Sequence, residues 1–468
     1  MDQDIAWWTT VVFGTDERTD IPRYLRIVTA IEQAIDARTV IYGQRLPAER
    51  TLAAALCVSR GTVVRAFEEL VGRGVLERVH GSGTFVRPRP RPTTSRPVIR
   101  HVDSSTDEIG DMIDLSGSAP IGPSHLPIID WDFDPTTYGA NLPARGLPIL
   151  RQALARHLTR LGVPTEAEQI IVTTGAAEAL DLLLRTHSAA KRPVVVGAPM
   201  WPALRSVVTE RTAPSLCLYP DAGGVDPAAA RRALRRTGAP IAFFDVIESG
   251  PSGRTTATSR SPRIAAAIED HSAVAVEDLS FLPLAAAHDP QVRPLAALSE
   301  RVTAIGELNR MFWAGCGIGW IRETAPDATL LTASFRLPIP ALSAQEHAAR
   351  LLDAASAQWF ADRYDHLART VTYLRDLLAK SVPSWTVEPS TTGDGVWIRL
   401  PVVDASTFAH VAARSGVRVC VGYECVTDGG LREYIRVSAA ADLPVLEGAV
   451  DRLVEAWATY TRRLAASV

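Results

Sequence analysis

The sequence predicts an α/β protein of two parts: a small helical head that ends in a β-hairpin, and a larger body built on a doubly wound, mostly parallel sheet. A chain of 468 residues, 47% of them apolar, is too long to fold around one hydrophobic core, so its length predicts two or three domains. Helical periodicity and then a hairpin occupy about the first 90 residues, and short β-branched runs alternate with helical stretches from about Asp114 onward. We expect a head at residues 1–88, a linker at 89–113, a large domain at 114–335 and a small domain at 336–468.

The head contains three helical segments and then a hairpin. Apolar residues recur at helical spacing through residues 23–37, Pro47 opens a second helix, and Ser59 is a good N-cap for a third. Residues 75–79 and 84–86 have the pattern of two strands, joined by the tight turn HGSG. Three helices before a hairpin predict a winged helix-turn-helix.

Charge separates the head from the rest of the chain. Between Thr19 and Pro92 twelve arginines stand against seven acidic residues, although the whole chain has a net charge of −3. A basic module on an acidic remainder suits a domain that meets nucleic acid. Residues 87–100 are rich in proline and arginine, which predicts an extended, exposed linker.

The body alternates between strand and helix patterns. Five short apolar runs, each followed by a helical stretch, predict parallel strands at 170–173, 194–196, 241–244, 273–277 and 302–305. One long helical stretch is expected at about 341–379. Strands at 396–400, 417–421 and 434–437, followed by a terminal helix, predict a small α+β C-terminal subdomain.

Several classes of protein are excluded by composition. The chain has no apolar stretch of membrane-spanning length, and its first residues lack the basic and apolar regions of a signal peptide. The five cysteines show no metal-ligand spacing and fit a reducing compartment. We therefore expect a cytoplasmic protein without a metal site.

The head resembles the GntR family of winged-helix regulators. The resemblance rests on GQRLPAER at 43–50, VSRGTVVRAFEEL at 58–70 and HGSGTFV at 80–86. In this family the third helix enters the major groove with its N-terminal end foremost, while the wing approaches the minor groove. Arginine forks suit guanine edges or phosphates, and hydroxyls and amides at a helix start suit phosphates. The resemblance thus assigns DNA contact to Arg45, Arg50, Ser59, Arg60, Thr62, Arg65, His80, Gly81, Ser82 and Gly83.

The body resembles fold-type I pyridoxal-phosphate enzymes, and the order of modules resembles the MocR/GabR subfamily of GntR-type regulators. The resemblance runs through YGANLPARGLPILR at 138–151, IVTTGAAEAL at 171–180, PMW at 199–201, ED at 277–278 and YIRV at 434–437. It implies that Gly175 and Ala176 begin the helix that cradles the cofactor phosphate. It also implies that Trp201 faces the cofactor, Asp278 pairs with its pyridine nitrogen, and Arg436 holds a carboxylate.

The same resemblance implies a homodimer, because fold-type I proteins build their sites at a subunit interface. A dimeric regulator is expected to bind a double-stranded operator with paired half-sites.

The segment that should carry the cofactor lysine departs from the family pattern. It reads GELNRMFWAGCGIG at 306–319, which places Arg310 at the lysine and Gly317 at the phosphate-binding arginine. Glu307 and Asn309 replace the two serines of that pattern. Ser280 stands where the family has a tyrosine, and Glu248 begins a further segment that departs from it.

These changes remove the chemistry of the family. A Schiff base needs a deprotonated amine, and a guanidinium is not deprotonated in proteins, so Arg310 cannot form the aldimine. Gly317 removes a cation, and Glu307 adds a carboxylate that would repel a phosphate. The chain has only two lysines, Lys191 and Lys380, and neither falls at the C-terminal edge of the sheet where ligands of doubly wound folds bind. We expect no catalytic residues and no bound pyridoxal phosphate; non-covalent binding of that cofactor and, less favoured, an active aminotransferase remain the alternatives.

The remaining pocket residues keep two interpretations each. Asp278 either binds a cationic ligand nitrogen or pairs with Arg310. Arg436 either binds the carboxylate of a small-molecule effector or forms an internal salt bridge. Trp201 either stacks on a planar ligand or fills the volume that the cofactor has vacated.

Overall fold

We describe the protein from a computed structural model. It describes residues 22–36, 40, 44–73, 75–79, 83–86, 112–120, 124–130, 132–134, 138, 143–187, 193–213, 215–237, 241–247, 250–324, 328–334, 338–390 and 393–466. The chain divides into two compact units, Met1–Arg96 and Pro97–Val468.

The first unit has the predicted order of three helices and a hairpin. Its elements are α1 Arg23–Asp36, α2 Glu49–Ala55, α3 Arg60–Gly72, β1 Leu76–Val79 and β2 Gly83–Val86. The apolar faces of the helices meet in one core, in which Ile27, Ile31, Leu52, Phe67 and Leu70 are fully buried. The hairpin is antiparallel, and the segment before α2 adds to it through the amide of Leu46, which donates to the carbonyl of Thr84 (2.9 Å).

The second unit is centred on a seven-stranded sheet. In spatial order its strands are β4 Ile170–Thr173, β10 Gly319–Arg322, β9 Val302–Glu307, β8 Val274–Asp278, β7 Ile241–Phe244, β5 Val195–Gly197 and β6 Leu216–Leu218. All of them run parallel except β10, which is antiparallel to both of its neighbours. The predicted mostly parallel, doubly wound sheet is therefore confirmed, with two strands, β6 and β10, that the pattern of apolar runs missed.

Helices connect these strands and then lead into the small subdomain. They are α4 Pro148–Arg160, α5 Ala176–His187, α6 Pro202–Arg211, α7 Pro227–Thr237, α8 Ser261–Asp270, α9 Leu282–His288 and α10 Ala328–Ser334, followed by α11 Leu342–Ala354 and α12 Ala357–Ser381. The single helical stretch expected at about 341–379 is two helices. Ser356 separates them, because its side chain accepts a hydrogen bond from the amide of Trp359 (3.1 Å) and so begins α12.

The small subdomain has its own sheet and core. Its antiparallel sheet has the order β11 Thr386–Val387, β12 Gly395–Arg399, β15 Tyr434–Ser438 and β14 Cys420–Val421. β13 Val417–Arg418 pairs instead with β3 Ile113–Asp114, so the strand expected at 417–421 is split in two. Helices α13 Ser406–Arg414 and α14 Leu443–Ala466 complete the subdomain. None of the described helices is long and apolar enough to span a bilayer.

Candidate functional site

The start of α3 is the part of the head that the sequence assigns to DNA. Ser59 is its N-cap: the hydroxyl accepts a hydrogen bond from the amide of Thr62 (3.1 Å) and bonds the Thr62 hydroxyl (2.8 Å). Both hydroxyls lie at the N-terminal end of the helix, where the backbone dipole favours an anion.

The four predicted arginines of the head are all exposed. Arg60 lies 3.5 Å from Glu49, and the same carboxylate holds Arg78 of the hairpin at 3.0 Å. The guanidinium of Arg65 lies 4.1 Å from the centre of the Tyr24 ring. Exposed ion pairs contribute only about 0–1 kcal/mol, so these arginines can exchange such partners for phosphate oxygens. Arg78 and Tyr24 were missed from sequence, because only the fold brings them to α3.

Arg45 lies against the base of the wing. Gly83 has a φ of +122°, and a Cβ at that position would come within 2.9 Å of the Arg45 Nε atom. A side chain at Gly83 would therefore push Arg45 aside and strain the backbone. His80, Gly81 and Ser82 lie outside the described residues, and Arg50 is exposed on α2.

In the body, Arg310 lies at the C-terminal edge of the sheet. It is 5% exposed, and its Nη2 is 3.4 Å from the Oδ2 of Asp278, the last residue of β8. Its Nε lies 3.5 Å from the Oε1 of Glu307, the last residue of β9. Because β8 and β9 are parallel neighbours, both carboxylates come to the same edge and face one guanidinium.

Asp278 is held on its other oxygen by Ser280. The Ser280 hydroxyl and amide donate to Oδ1 at 2.5 and 2.9 Å, and the hydroxyl in turn accepts from the amide of Glu307 at 3.0 Å. The serine that replaces the family's tyrosine therefore bridges β8 and β9.

Glu307 reaches the N-terminus of α5. Its Oε2 lies 3.4 Å from the amide nitrogen of Ala176, and a Cβ on Gly175 would be 3.4 Å from the same oxygen. Burial raises the pKa of this carboxyl, and Asp278 raises it further, while the Arg310 guanidinium lowers it. A carboxylate of the chain thus lies at the helix start that the family resemblance assigns to a phosphate.

Polar groups within the loop between β9 and β10 bond to one another. The side-chain oxygen of Asn309 accepts from the amide of Gly317 at 2.9 Å. Gly317 has a φ of +62°, a left-handed conformation that suits glycine and brings no cation to the pocket.

Trp201 lies between two guanidinium groups. Arg310 is 4.5 Å from the ring centre and Arg436 is 4.6 Å from it, and the indole is 7% exposed. Such contacts between cations and an aromatic face are attractive. The geometry favours the interpretation in which Trp201 fills the pocket.

Arg436 is bound within the chain. It is 1% exposed, forms an ion pair with Asp394 through Nη2, and donates from Nη1 to the carbonyl of Gly117 (2.8 Å). The geometry favours the internal salt bridge over a free carboxylate site. Asp394 was missed from sequence, because nothing before the fold pairs it with Arg436.

The other half of the predicted acidic pair faces away from Asp278. Glu277 is fully buried and accepts from the amides of Leu295 and Ala296 at 2.9 and 2.8 Å. Burial nevertheless raises its pKa to about 8. Its contacts are structural, while Glu248 lies outside the described residues.

Comparisons with known proteins agree with both parts of the chain. Residues 23–86 match the gntR family of bacterial regulatory proteins. A pyridoxine biosynthesis transcriptional regulator of Corynebacterium glutamicum, PdxR, is 29% identical over 69% of this chain and 70% of its own. The transcriptional regulator YdfD of Bacillus subtilis is 24% identical over 90% of this chain and 93% of its own.

Solved structures show the fold of the body. An α-aminoadipate aminotransferase of Thermus thermophilus, LysN, superposes with a TM-score of 0.66 over 77% of this chain and 94% of its own, at 19% identity. N-succinyldiaminopimelate aminotransferase of Mycobacterium tuberculosis gives a TM-score of 0.59 at 20% identity, over 74% of this chain and 93% of its own. The chain accordingly has the organisation of DNA-binding transcription regulators of the MocR/GabR type: a GntR winged helix-turn-helix and a body with the fold-type I aminotransferase-like fold.

Proposed function

We propose that this regulator acts as a homodimer whose aminotransferase-like body is catalytically inactive and does not hold pyridoxal phosphate. The observation that carries the proposal is the buried position of Arg310 between Asp278 and Glu307. The body is then an effector and dimerisation domain for the DNA-binding head.

The residues of the pocket do not fit the cofactor. Its aldehyde would meet a guanidinium, which offers no nucleophilic nitrogen at neutral pH. Its pyridine nitrogen would have to compete with Arg310 for Asp278. No step of transamination can be routed through this set of side chains.

The position that the phosphate group of pyridoxal phosphate would occupy also argues against non-covalent binding of that cofactor. The Ala176 amide already faces the Glu307 carboxylate, and position 317 offers no cation. Two unit charges about 4 Å apart repel by roughly 4 kcal/mol at the screening of a protein surface. Glu307 would have to turn away or take up a proton before a phosphate could enter.

The available lysines do not supply a substitute. Lys380 is exposed in the last turn of α12, and Lys191 lies outside the described residues, before β5. A lysine that precedes a parallel strand belongs to the edge opposite to the one that holds Arg310 and Asp278.

Dimerisation and operator symmetry follow from the family organisation. A two-fold protein binds two half-sites, so the operator is expected to contain a repeated sequence. Light scattering on the full-length chain at micromolar concentration should give the mass of two chains, and a monomer would contradict this part of the proposal.

Inactivity is tested by a transaminase assay with added pyridoxal phosphate and a panel of amino-acid and 2-oxo-acid pairs. The proposal expects no turnover above that of free pyridoxal phosphate. Turnover that disappears in Arg310→Ala would support the active aminotransferase instead. A cofactor that colours the protein but is lost on dialysis would support the non-covalent alternative.

A further inference from the structure

Two buried thiols meet in the small subdomain. Cys420 lies in β14, and Cys425 ends the short turn Gly422–Cys425 that follows this strand. Their Sγ atoms are 3.5 Å apart, and the two residues are 2% and 0% exposed. The other three of the five cysteines form no hydrogen bond to another thiol in the described part of the chain. The contact therefore sets this pair apart from the remaining cysteines.

The surroundings of the two thiols are mainly apolar and aromatic. Trp397 and Tyr434 pack on them, and these two rings stack at 5.4 Å. Both thiols point to one weak acceptor, the carbonyl of Val421, at 3.9 and 3.8 Å. Burial raises the pKa of the Cys425 thiol, and the neighbouring Cys420 raises it further. Cys425 therefore stays protonated at neutral pH, and bulky reagents do not reach either sulfur.

The two sulfurs need only a small movement to form a bond. A disulfide has an S–S distance of about 2.05 Å, so sulfurs that are now 3.5 Å apart must approach by about 1.5 Å. Cys420 is fixed by the pairing of β14 with β15, whereas Cys425 lies in a turn outside the sheet. The movement can therefore come from the turn while the sheet stays unchanged.

Cys425 also contacts the large domain. Its carbonyl accepts a hydrogen bond from the amide of Met200 (2.8 Å), and the carbonyl of Val426 accepts one from the Nε of Arg205 (3.0 Å). Met200 directly precedes Trp201, which lies in the candidate site. A bond that moves Cys425 would therefore act on the neighbourhood of Trp201 through a single hydrogen bond.

We propose that Cys420 and Cys425 are a modification site at which hydrogen peroxide forms a reversible disulfide. The site does not depend on whether the body holds pyridoxal phosphate. Disulfides of proteins in a reducing compartment are mostly transient or redox-sensing, so the pair is expected to be reduced until an oxidant appears. Hydrogen peroxide is small and uncharged, and therefore suits a buried pair better than a bulky disulfide does.

The reaction consumes one peroxide for two thiols. One sulfur, as its thiolate, attacks a peroxide oxygen; an S–O bond forms, the O–O bond breaks, and the leaving hydroxide takes up the thiol proton as water. The second sulfur attacks the sulfenic sulfur; the S–S bond forms, the S–O bond breaks, and a second water leaves with the second thiol proton. Each sulfur loses one electron, and the peroxide gains both. A dithiol reductant reverses the change by thiol–disulfide exchange.

The test treats the reduced full-length protein with a small molar excess of hydrogen peroxide and then measures the intact mass in denaturant. The expected product is a single chain that is lighter by two hydrogen atoms, with a cross-link mapped between Cys420 and Cys425. Dithiothreitol should restore the original mass. Survival of both thiols under conditions that oxidise the exposed Cys57 would overturn the proposal. Oxygen atoms added at either sulfur without the cross-link would overturn it as well.

Variants separate this pair from the other thiols. Cys420→Ala and Cys425→Ala should each abolish the cross-link, because each removes one of the two sulfurs. Cys316→Ala changes a buried cysteine that bonds no other thiol among the described residues, and it should form the cross-link as the parent does. Cys57→Ser removes the exposed thiol that could join two chains, and it should leave the product within one chain unchanged. A loss of two hydrogen atoms that persists in Cys420→Ala and Cys425→Ala would assign the disulfide to other cysteines and contradict the proposal.

Discussion

The guanidinium of Arg310 lies 3.4 Å from the carboxylate of Asp278, and both side chains are almost completely buried. Glu307 approaches the same guanidinium at 3.5 Å, and Trp201 covers its face. In the place that the family resemblance assigns to a cofactor, charged side chains of the chain therefore contact one another. The network should affect two measurable quantities, the free energy of unfolding of the body and its affinity for pyridoxal phosphate.

Removing one member of the pair should destabilise the body. Asp278→Ala leaves Arg310 with Glu307 alone, and loss of one partner of a buried ion pair costs about 3–5 kcal/mol. The double variant Asp278→Ala/Arg310→Met should recover a substantial part of that loss, because no uncompensated guanidinium remains. Urea unfolding of the parent, of Asp278→Ala, of Arg310→Met and of the double variant measures the coupling between the two side chains.

An exposed ion pair provides the control for the Asp278 and Arg310 variants. Arg156 and Asp353 lie 2.8 Å apart with about half of each side chain exposed. Asp353→Ala is expected to cost no more than about 1 kcal/mol. Equal costs for Asp278→Ala and Asp353→Ala would show that the buried network does not stabilise the fold.

The start of α3 should determine operator affinity. Arg60→Ala or Arg65→Ala should weaken specific binding by about 1–3 kcal/mol if the arginine makes a bidentate contact to a base. Arg73→Ala removes the same charge just beyond the far end of α3, where Arg73 pairs with Glu69, and should change binding much less. Gel shifts at fixed salt compare the three. Parent-like binding by both Arg60→Ala and Arg65→Ala would refute the assignment.

Acid should destabilise the body through His157. This side chain is 4% exposed, and burial lowers its pKa to about 3. Below about pH 6.5 the unfolded chain binds a proton that the folded chain does not, so stability falls as the pH drops from 6.5 toward 3.

His157→Phe should flatten that dependence. At pH 5 the parent should have lost about 2 kcal/mol of its free energy of unfolding, because His157 takes up a proton in the unfolded chain. The variant should retain that free energy, because a phenylalanine ring does not titrate and can pack beside Phe360 as the His157 ring does. Unfolding midpoints from pH 7 to pH 4 measure the difference, with exposed His410→Gln as the control. A pH profile of His157→Phe that is parallel to the parent's would show that His157 does not titrate as described.

Restoring the family pattern should restore cofactor binding only when several positions change together. Arg310→Lys alone leaves Glu307 at the start of α5 and should gain little affinity for pyridoxal phosphate. The triple variant Glu307→Ser/Arg310→Lys/Gly317→Arg supplies the amine, a hydroxyl and a cation, at a cost of about 1–2 kcal/mol for arginine at a positive φ. Visible absorbance with added cofactor compares the two variants. Equal binding by the single and the triple variant would show that Glu307 and Gly317 do not control the site.

Some features of the fold were predictable because they depend on neighbours in the chain. The apolar run before Asp278 and the Ser59 cap are local signals, and the structure has β8 and α3 there. β10 escaped prediction because it follows the altered lysine segment and contains Arg322, which is buried through tertiary contacts. The break at Ser356 was hidden because apolar periodicity continues on both sides of it.

The features of the candidate site likewise divide into those that depend on a single residue and those that depend on the packing of distant segments. That Arg310 cannot act as a lysine follows from the side chain itself. That Glu307 meets the amide of Ala176, 131 residues away, depends on the packing of β9 against α5. That Asp394 pairs with Arg436 likewise depends on the fold, which brings the residue before β12 to the middle of β15.

The most direct test of the central claim is the mass of the intact protein after incubation with pyridoxal phosphate and reduction with borohydride. Reduction fixes the cofactor to any lysine that has formed a Schiff base with it. Because Arg310 replaces that lysine, we expect the mass to remain that of the unmodified chain, while the triple variant gains one phosphopyridoxyl group. One such group on the parent protein, mapped to Lys191 or Lys380 and bound stoichiometrically, would contradict the account.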